Sequence, residues 1–130
     1  MRMAFAFAGL ALLGGCTTGM GPTPRQEANR AALENAREVG EPEDCVTLSS
    51  VRETRVLDDG AIDFHLANGQ VLRNRLPHSC PGLAFDDSFS YRSTLGRLCS
   101  IDTITVRGSG GNPGPTCGLG PFHPVEIGSR

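Results

Sequence analysis

Asp63 and His65 lie two residues apart in Ile62-Asp63-Phe64-His65-Leu66, a segment that alternates apolar and polar residues. A period of two puts both polar side chains on one face of a strand, where the carboxylate could orient the imidazole for general-base work. No nucleophile accompanies them, and the same pattern fits a solvated strand face on which Asp63 pairs with a cation. His78-Ser79-Cys80 could hold copper or zinc through the imidazole and a free thiolate, but a disulfide would consume the sulfur. His123, the remaining histidine, belongs to no metal or nucleophile motif. Asp102 is the odder residue, because Ile101 and Ile104 surround it. A carboxylate in an apolar strand must be exposed, paired or hydrogen-bonded. Catalysis is one reading of Asp102; capping backbone amides at a bulge, or pairing with Arg52, Arg75 or Arg92, is the other. The glycines at 108, 110 and 111 precede no helix that would complete a phosphate cradle.

The elements that must position these groups are short. Thr23, Pro24 and Gln26 form a capping-box pattern, which predicts a helix from about Pro24 to Val39, stopped by Gly40 and Pro42. Its apolar residues are mostly Ala, so it reads as a solvated spacer partly packed on the domain. From Cys45 the pattern changes to β segments separated by turns. Apolar parity slips between Leu48 and Val51, which predicts a bulge near Ser49-Ser50 within a strand from Cys45 to Leu57. In the next hairpin a two-residue Asn68-Gly69 turn would set Phe64 opposite Arg73, mixing core and solvent faces. A three-residue loop, Ala67-Asn68-Gly69 with Gly69 at positive φ, pairs Phe64 with Leu72 and Ile62 with Asn74 on one face. The other face then pairs Asp63 with Arg73 and His65 with Val71, and is expected to meet solvent. Asn74 falls on the core face, where it reads as a hydrogen-bonding hub.

Further strands are predicted at Ser88–Arg92 and Leu98–Arg107, the latter with a parity shift at Asp102. Residues 108 to 116 read as a surface loop, and Cys117 to Ile127 as a short edge segment, because Pro121 and Pro124 are expected to exclude a central strand. The expected fold class is mainly β: a small antiparallel β-barrel or sandwich of five or six strands with two disulfides, preceded by one short helix.

Met1-Arg2-Met3 followed by an apolar run from Ala4 to Leu13 has the form of an export signal, too short for a membrane span of roughly 20 residues. It ends in Leu13-Gly14-Gly15-Cys16, which resembles the lipobox of bacterial lipoproteins. That resemblance implies diacylation of the Cys16 sulfur, cleavage before Cys16 and acylation of the new amine, so the mature chain is held to a membrane by lipid. Thr17 rather than Asp after the cysteine is similar to lipoproteins forwarded to the outer membrane, at its periplasmic face. The expected organisation is a signal peptide over 1–15, a lipid-anchored tether with the short helix over 16–44, and a β domain over 45–130. With Cys16 assigned to lipid, Cys45, Cys80, Cys99 and Cys117 remain, an even number in an oxidising compartment, which reads as two disulfides. No Cys-x-x-Cys pair is present, so zinc spacing is lacking. Three connectivities are open. Cys45 with Cys117 would tie the ends of the domain and Cys80 with Cys99 would flank the Phe89-Tyr91 strand, and this pairing is the expectation.

Charge is nearly balanced, at a formal −2 with all twelve basic residues Arg, and no basic stripe suggests nucleic acid as a partner. Asn74-Arg75-Leu76-Pro77, Cys80-Pro81-Gly82-Leu83, the run from Leu98 to Val106 and Cys117-Gly118-Leu119-Gly120-Pro121-Phe122 resemble a family of small exported proteobacterial proteins of unknown function. The resemblance spans Cys45 to Val125 and implies no activity. No motif calls for a cofactor or metal. The leading expectation is a non-enzymatic interaction or structural module anchored in the envelope, with an envelope protein as candidate partner. An inhibitor of an envelope-attacking enzyme such as lysozyme is the alternative, since small β lipoproteins of that kind share the plan, although only Tyr91-Arg92-Ser93 is similar to their loop motif. A small hydrolase using Asp63, His65 or Asp102 is the third reading.

Overall fold

The computed structural model describes residues 9, 21–93 and 95–128; the lipidation and signal-peptide assignments at Cys16 and before it lie outside the described residues. In chain order the elements are α1 (Pro24–Glu34), β1 (Ala36–Glu38), β2 (Cys45–Thr47), β3 (Val51–Asp58), β4 (Ala61–Leu66) and β5 (Val71–Arg75). They continue with α2 (Leu83–Asp86), β6 (Phe89–Tyr91), β7 (Arg97–Cys99), β8 (Thr103–Arg107), β9 (Pro113–Gly118) and β10 (Phe122–Ile127). The fold is mainly β and its strand pairs are antiparallel. A five-stranded sheet runs β1-β10-β5-β4-β3, β2 pairs with β7, and β6-β8-β9 form a third sheet; none of the three closes on itself.

The β4–β5 hairpin has the register expected from its turn chemistry. Phe64 faces Leu72, Ile62 faces Asn74 and Asp63 faces Arg73, while Gly69 takes φ +88° and the Leu66 amide donates to the Gln70 carbonyl. Ile62, Phe64 and Leu72 then join Val46, Leu98, Ile104, Val106 and Phe122 in one core fed by all three sheets. Phe64 and Phe122 meet edge to face at 5.3 Å.

The parity slips turn out to be breaks. Leu48–Ser50 makes a single 3₁₀ turn that sends β2 and β3 into different sheets, so the expected bulged strand is two strands. At the second slip, residues 100–102 form the turn between β7 and β8. The proline-rich end also pairs more than expected: β9 contains Pro113 and Pro115 yet lies along β8, where one sheet edge tolerates missing donors. β10 is interior rather than an edge segment. Phe122 exchanges backbone hydrogen bonds with Glu43 and the Pro124 carbonyl accepts from Val39, so these two residues present their backbone polar groups away from β5. The N–H that Pro124 lacks therefore removes no bond to β5.

α1 begins with the expected capping box at Thr23 and Gln26 but ends at Glu34. Ala36, Arg37 and Glu38 become β1 against β10, where strand pairing with Ile127, Glu126 and Val125 overrides the high helix propensity of these residues. The segment read as a spacer is thus part of the sheet, and α1 covers the face of it that was expected to meet solvent. There Ala32 packs with Leu57 and Ala61. Asp63 and Arg73 are 0 % and 1 % exposed beneath it, joined in a fork of 2.7 Å (Nε to Oδ1) and 2.9 Å (Nη2 to Oδ2).

The disulfides are Cys45–Cys99 and Cys80–Cys117, correcting the pairing Cys45–Cys117 and Cys80–Cys99. The β2–β7 register sets Cys45 directly opposite Cys99, and Cys117, opposite Ile104 in the third sheet, meets Cys80 in the loop after β5. Each bridge thus joins segments that are neighbours in space. Non-reducing peptide mapping is expected to recover Cys45–Cys99 and Cys80–Cys117 peptides, and a Cys45–Cys117 peptide would contradict this topology.

Candidate functional site

The residues singled out for chemistry are dispersed. Asp63 uses both carboxylate oxygens on Arg73, whose Nη2 also donates to the Ala32 carbonyl at 3.2 Å. Both oxygens are directed at the guanidinium, and neither is hydrogen-bonded to His65. His65 is half-buried on the same sheet face, across from Glu53 and Val71, and its Nε2 has no hydrogen-bond partner among the described residues. His123 lies beside Arg73 on the neighbouring strand, with Nδ1 3.5 Å from the Glu38 carboxylate. His78 is exposed, and the Cys80 sulfur beside it is committed to Cys117. Among the described residues no three His, Cys, Asp or Glu side chains gather into a metal site.

Asn74 is a closed unit. Its Oδ1 accepts from the Gly120 amide at 2.9 Å and its Nδ2 donates to the Gly120 carbonyl at 2.6 Å, so a fully buried amide is satisfied in the way a strand neighbour would satisfy it. Gly120 itself must be glycine, because a Cβ there would fall onto the Arg75 carbonyl oxygen. This pair fixes the entry to β10, and at 0 % exposure the amide lies out of a ligand's reach.

Asp102 combines structure with access. Its Oδ2 accepts from the Cys99 amide at 2.7 Å, while its own amide donates to the Cys99 carbonyl and its carbonyl accepts from Leu119. The carboxylate therefore ties the β7–β8 turn and leaves Ile101 at its tip, 90 % exposed. The capping reading holds, and no pairing with Arg52, Arg75 or Arg92 is formed among the described residues.

Asp102 also lines an open groove of about 630 Å³ on the third sheet. Ile104 and Val106 of β8 point into the core, so Thr103, Thr105 and Arg107 point outward, and Ser90 stands opposite Thr105 on β6. Thr105 Oγ1 is 2.9 Å from Thr116 Oγ1 of β9, extending a row of hydroxyls across three strands. Arg92 and Arg107 border the same groove, together with Tyr91, which is 41 % exposed, and Ile101. Both guanidiniums are exposed and neither forms an ion pair among the described residues. By contrast, Arg25, Arg37, Arg55, Arg73 and Arg75 are each matched to a carboxylate.

Sequence reasoning reached Asp102 and the Tyr91-Arg92 fragment but not the groove. Its floor comes from residues 90 and 103–107, which strand pairing alone brings together. The available signal was the alternation Thr103-Ile104-Thr105-Val106-Arg107, with hydroxyls and a cation on one face. The groove contains one of the three candidate catalytic groups, Asp102, and neither Asp63 nor His65.

Asp102→Ala is expected to lower stability by about 1 to 3 kcal/mol, because the half-buried Cys99 amide loses its acceptor. Asp102→Asn, which keeps an oxygen in place, should lose less. Thermal denaturation of the two variants checks the order, and equal losses would show that the acceptor is not what matters.

Comparison with known proteins leaves the assignment to this geometry: no family model, no curated protein and no solved structure matches the chain.

Proposed function

We propose that the chain is an exported lipoprotein, acylated at Cys16 and held at the periplasmic face of the outer membrane, that acts as a non-enzymatic interaction module of the envelope. Its likeness to the small exported proteobacterial proteins belongs to the same proposal, as does a sandwich-like arrangement in which the five-stranded sheet faces the other two across one core. The observation that carries the reading is the pair of disulfides, because bridges between strands persist where thiols are oxidised. The position of α1 supports it as well. Residues 17 to 23 separate Cys16 from Pro24, a short leash from the lipid to a helix that is built into the domain.

The Asp63–Arg73 fork removes the Asp63–His65 pair from the catalytic alternative, since the carboxylate is turned to the guanidinium and not to His65. An inhibitor reading keeps one observation in its favour: after β6 the chain projects Leu95, 88 % exposed with φ +60°, beside the exposed Arg92, Ser93 and Gly96. Inhibition of lysozyme by the purified protein, lost in Leu95→Ala, is the result that would favour it.

Feeding cells a radiolabelled fatty acid tests the anchor. The wild-type protein is expected to take up label and partition with the outer membrane, whereas Cys16→Ser should take up none. An unlabelled wild-type protein would overturn the assignment.

A further inference from the structure

The groove on the third sheet brings hydroxyls and unpaired cations together on one surface. It presents hydroxyls in a row (Ser90, Thr103, Thr105) between two guanidiniums (Arg92, Arg107) that no carboxylate neutralises among the described residues. The one acid on its rim, Asp102, already accepts from the Cys99 amide. In a chain of net charge −2 this is a local excess of positive charge. Its volume of about 630 Å³ lies within the usual range of small-ligand sites.

Each feature selects against a class of ligand. An apolar molecule would strand the hydroxyls and guanidiniums without partners. A bare inorganic anion can take one arginine and a neighbouring hydroxyl but is too small to span β8 from Thr103 to Arg107, about 13 Å of strand. An anionic glycan meets both requirements, since its hydroxyls can exchange hydrogen bonds with Ser90, Thr103 and Thr105 while carboxylates accept the planar fork of Arg92 or Arg107.

We infer that the β6–β8–β9 groove binds a carboxylate-bearing glycan of the cell wall, with Arg92 and Arg107 reading the carboxylates and the hydroxyl row reading the sugar. This deepens the proposed envelope role and rests on it, because only an exported chain meets that polymer. Recognition is electrostatic at the rim and therefore salt-sensitive.

Co-sedimentation of the full-length, detergent-solubilised protein with purified peptidoglycan sacculi tests the inference, with chitin as a neutral glycan and lipopolysaccharide as a phosphate-bearing one. Wild-type protein should pellet with sacculi, be released by 0.5 M salt (on the order of five times a dilute buffer's ionic strength) and ignore chitin. Arg92→Glu/Arg107→Glu should weaken retention at least about tenfold at an unchanged melting temperature. Arg30→Glu/Arg52→Glu makes the same charge change at exposed arginines outside the groove and should retain binding. Absence of sacculus binding, equal binding to chitin, preference for lipopolysaccharide, or equal losses in the two double variants would each overturn the inference. Because detergent removes the membrane from the assay, these outcomes are independent of whether Cys16 carries lipid, which the fatty-acid label reads separately.

Discussion

The fork between Arg73 and Asp63 is the constraint on which the arrangement of this fold depends. Two charges lie beneath a helix, at 1 % and 0 % exposure, and either one alone would be an uncompensated buried ion. The guanidinium is also engaged at a third point, the Ala32 carbonyl, close to the C-terminal end of α1. The final carbonyls of a helix lack intrahelical partners and attract positive charge. α1 carries no basic residue in its own last turn, so the sheet supplies one. Asn29 makes the complementary link by donating to the Val56 carbonyl on β3. Together these bonds fix the helix over β3, β4 and β5, and the small side chains Ala32 and Ala61 permit the close approach.

Closing that face decides where the protein can meet something else. The polar groups beneath α1 are engaged with one another, and the interior of the five-stranded sheet belongs to the common core. The third sheet has its inner face in the same core through Ile104 and Val106, but nothing among the described residues lies over its outer face at the groove. Its strands are short and its β9 edge is rich in proline and glycine, so its rigidity comes from elsewhere: the Cys80–Cys117 bridge ties β9 to the loop after β5, and Asp102 holds the turn leading into β8. Asp102, which looks like a candidate catalyst in the sequence, thus serves to brace the surface that remains available.

Local features were legible in the sequence and long-range ones were not. The β4–β5 register followed from a period of two and the demand of Gly69 for positive φ, both local to the hairpin. The identity of the solvent face did not follow, because Asp63 and His65 alternate with apolar residues identically whether water or a helix lies beyond them. The parity slips at residues 48–51 and 101–104 marked real interruptions, but a bulge and a break differ only in which strand pairs next. Cysteine pairing failed for the same reason, since opposite register positions on β2 and β7 decide it. Pro124 misled because the penalty for a missing donor depends on which side of the strand the donor would face. Of the candidate site, Asp102, Tyr91 and Arg92 were visible as individual residues; the hydroxyl row that joins them exists only once β6 lies against β8.

A double-mutant cycle on Asp63 and Arg73, read by equilibrium chemical denaturation, tests this account most directly. Asp63→Val and Arg73→Met are each expected to cost about 3 to 5 kcal/mol by leaving the other charge buried alone, while the double variant costs less than either single one. Losses below about 1 kcal/mol for each single variant, adding in the double, are the behaviour of an exposed pair and would contradict the claim that this fork holds α1 to the sheet.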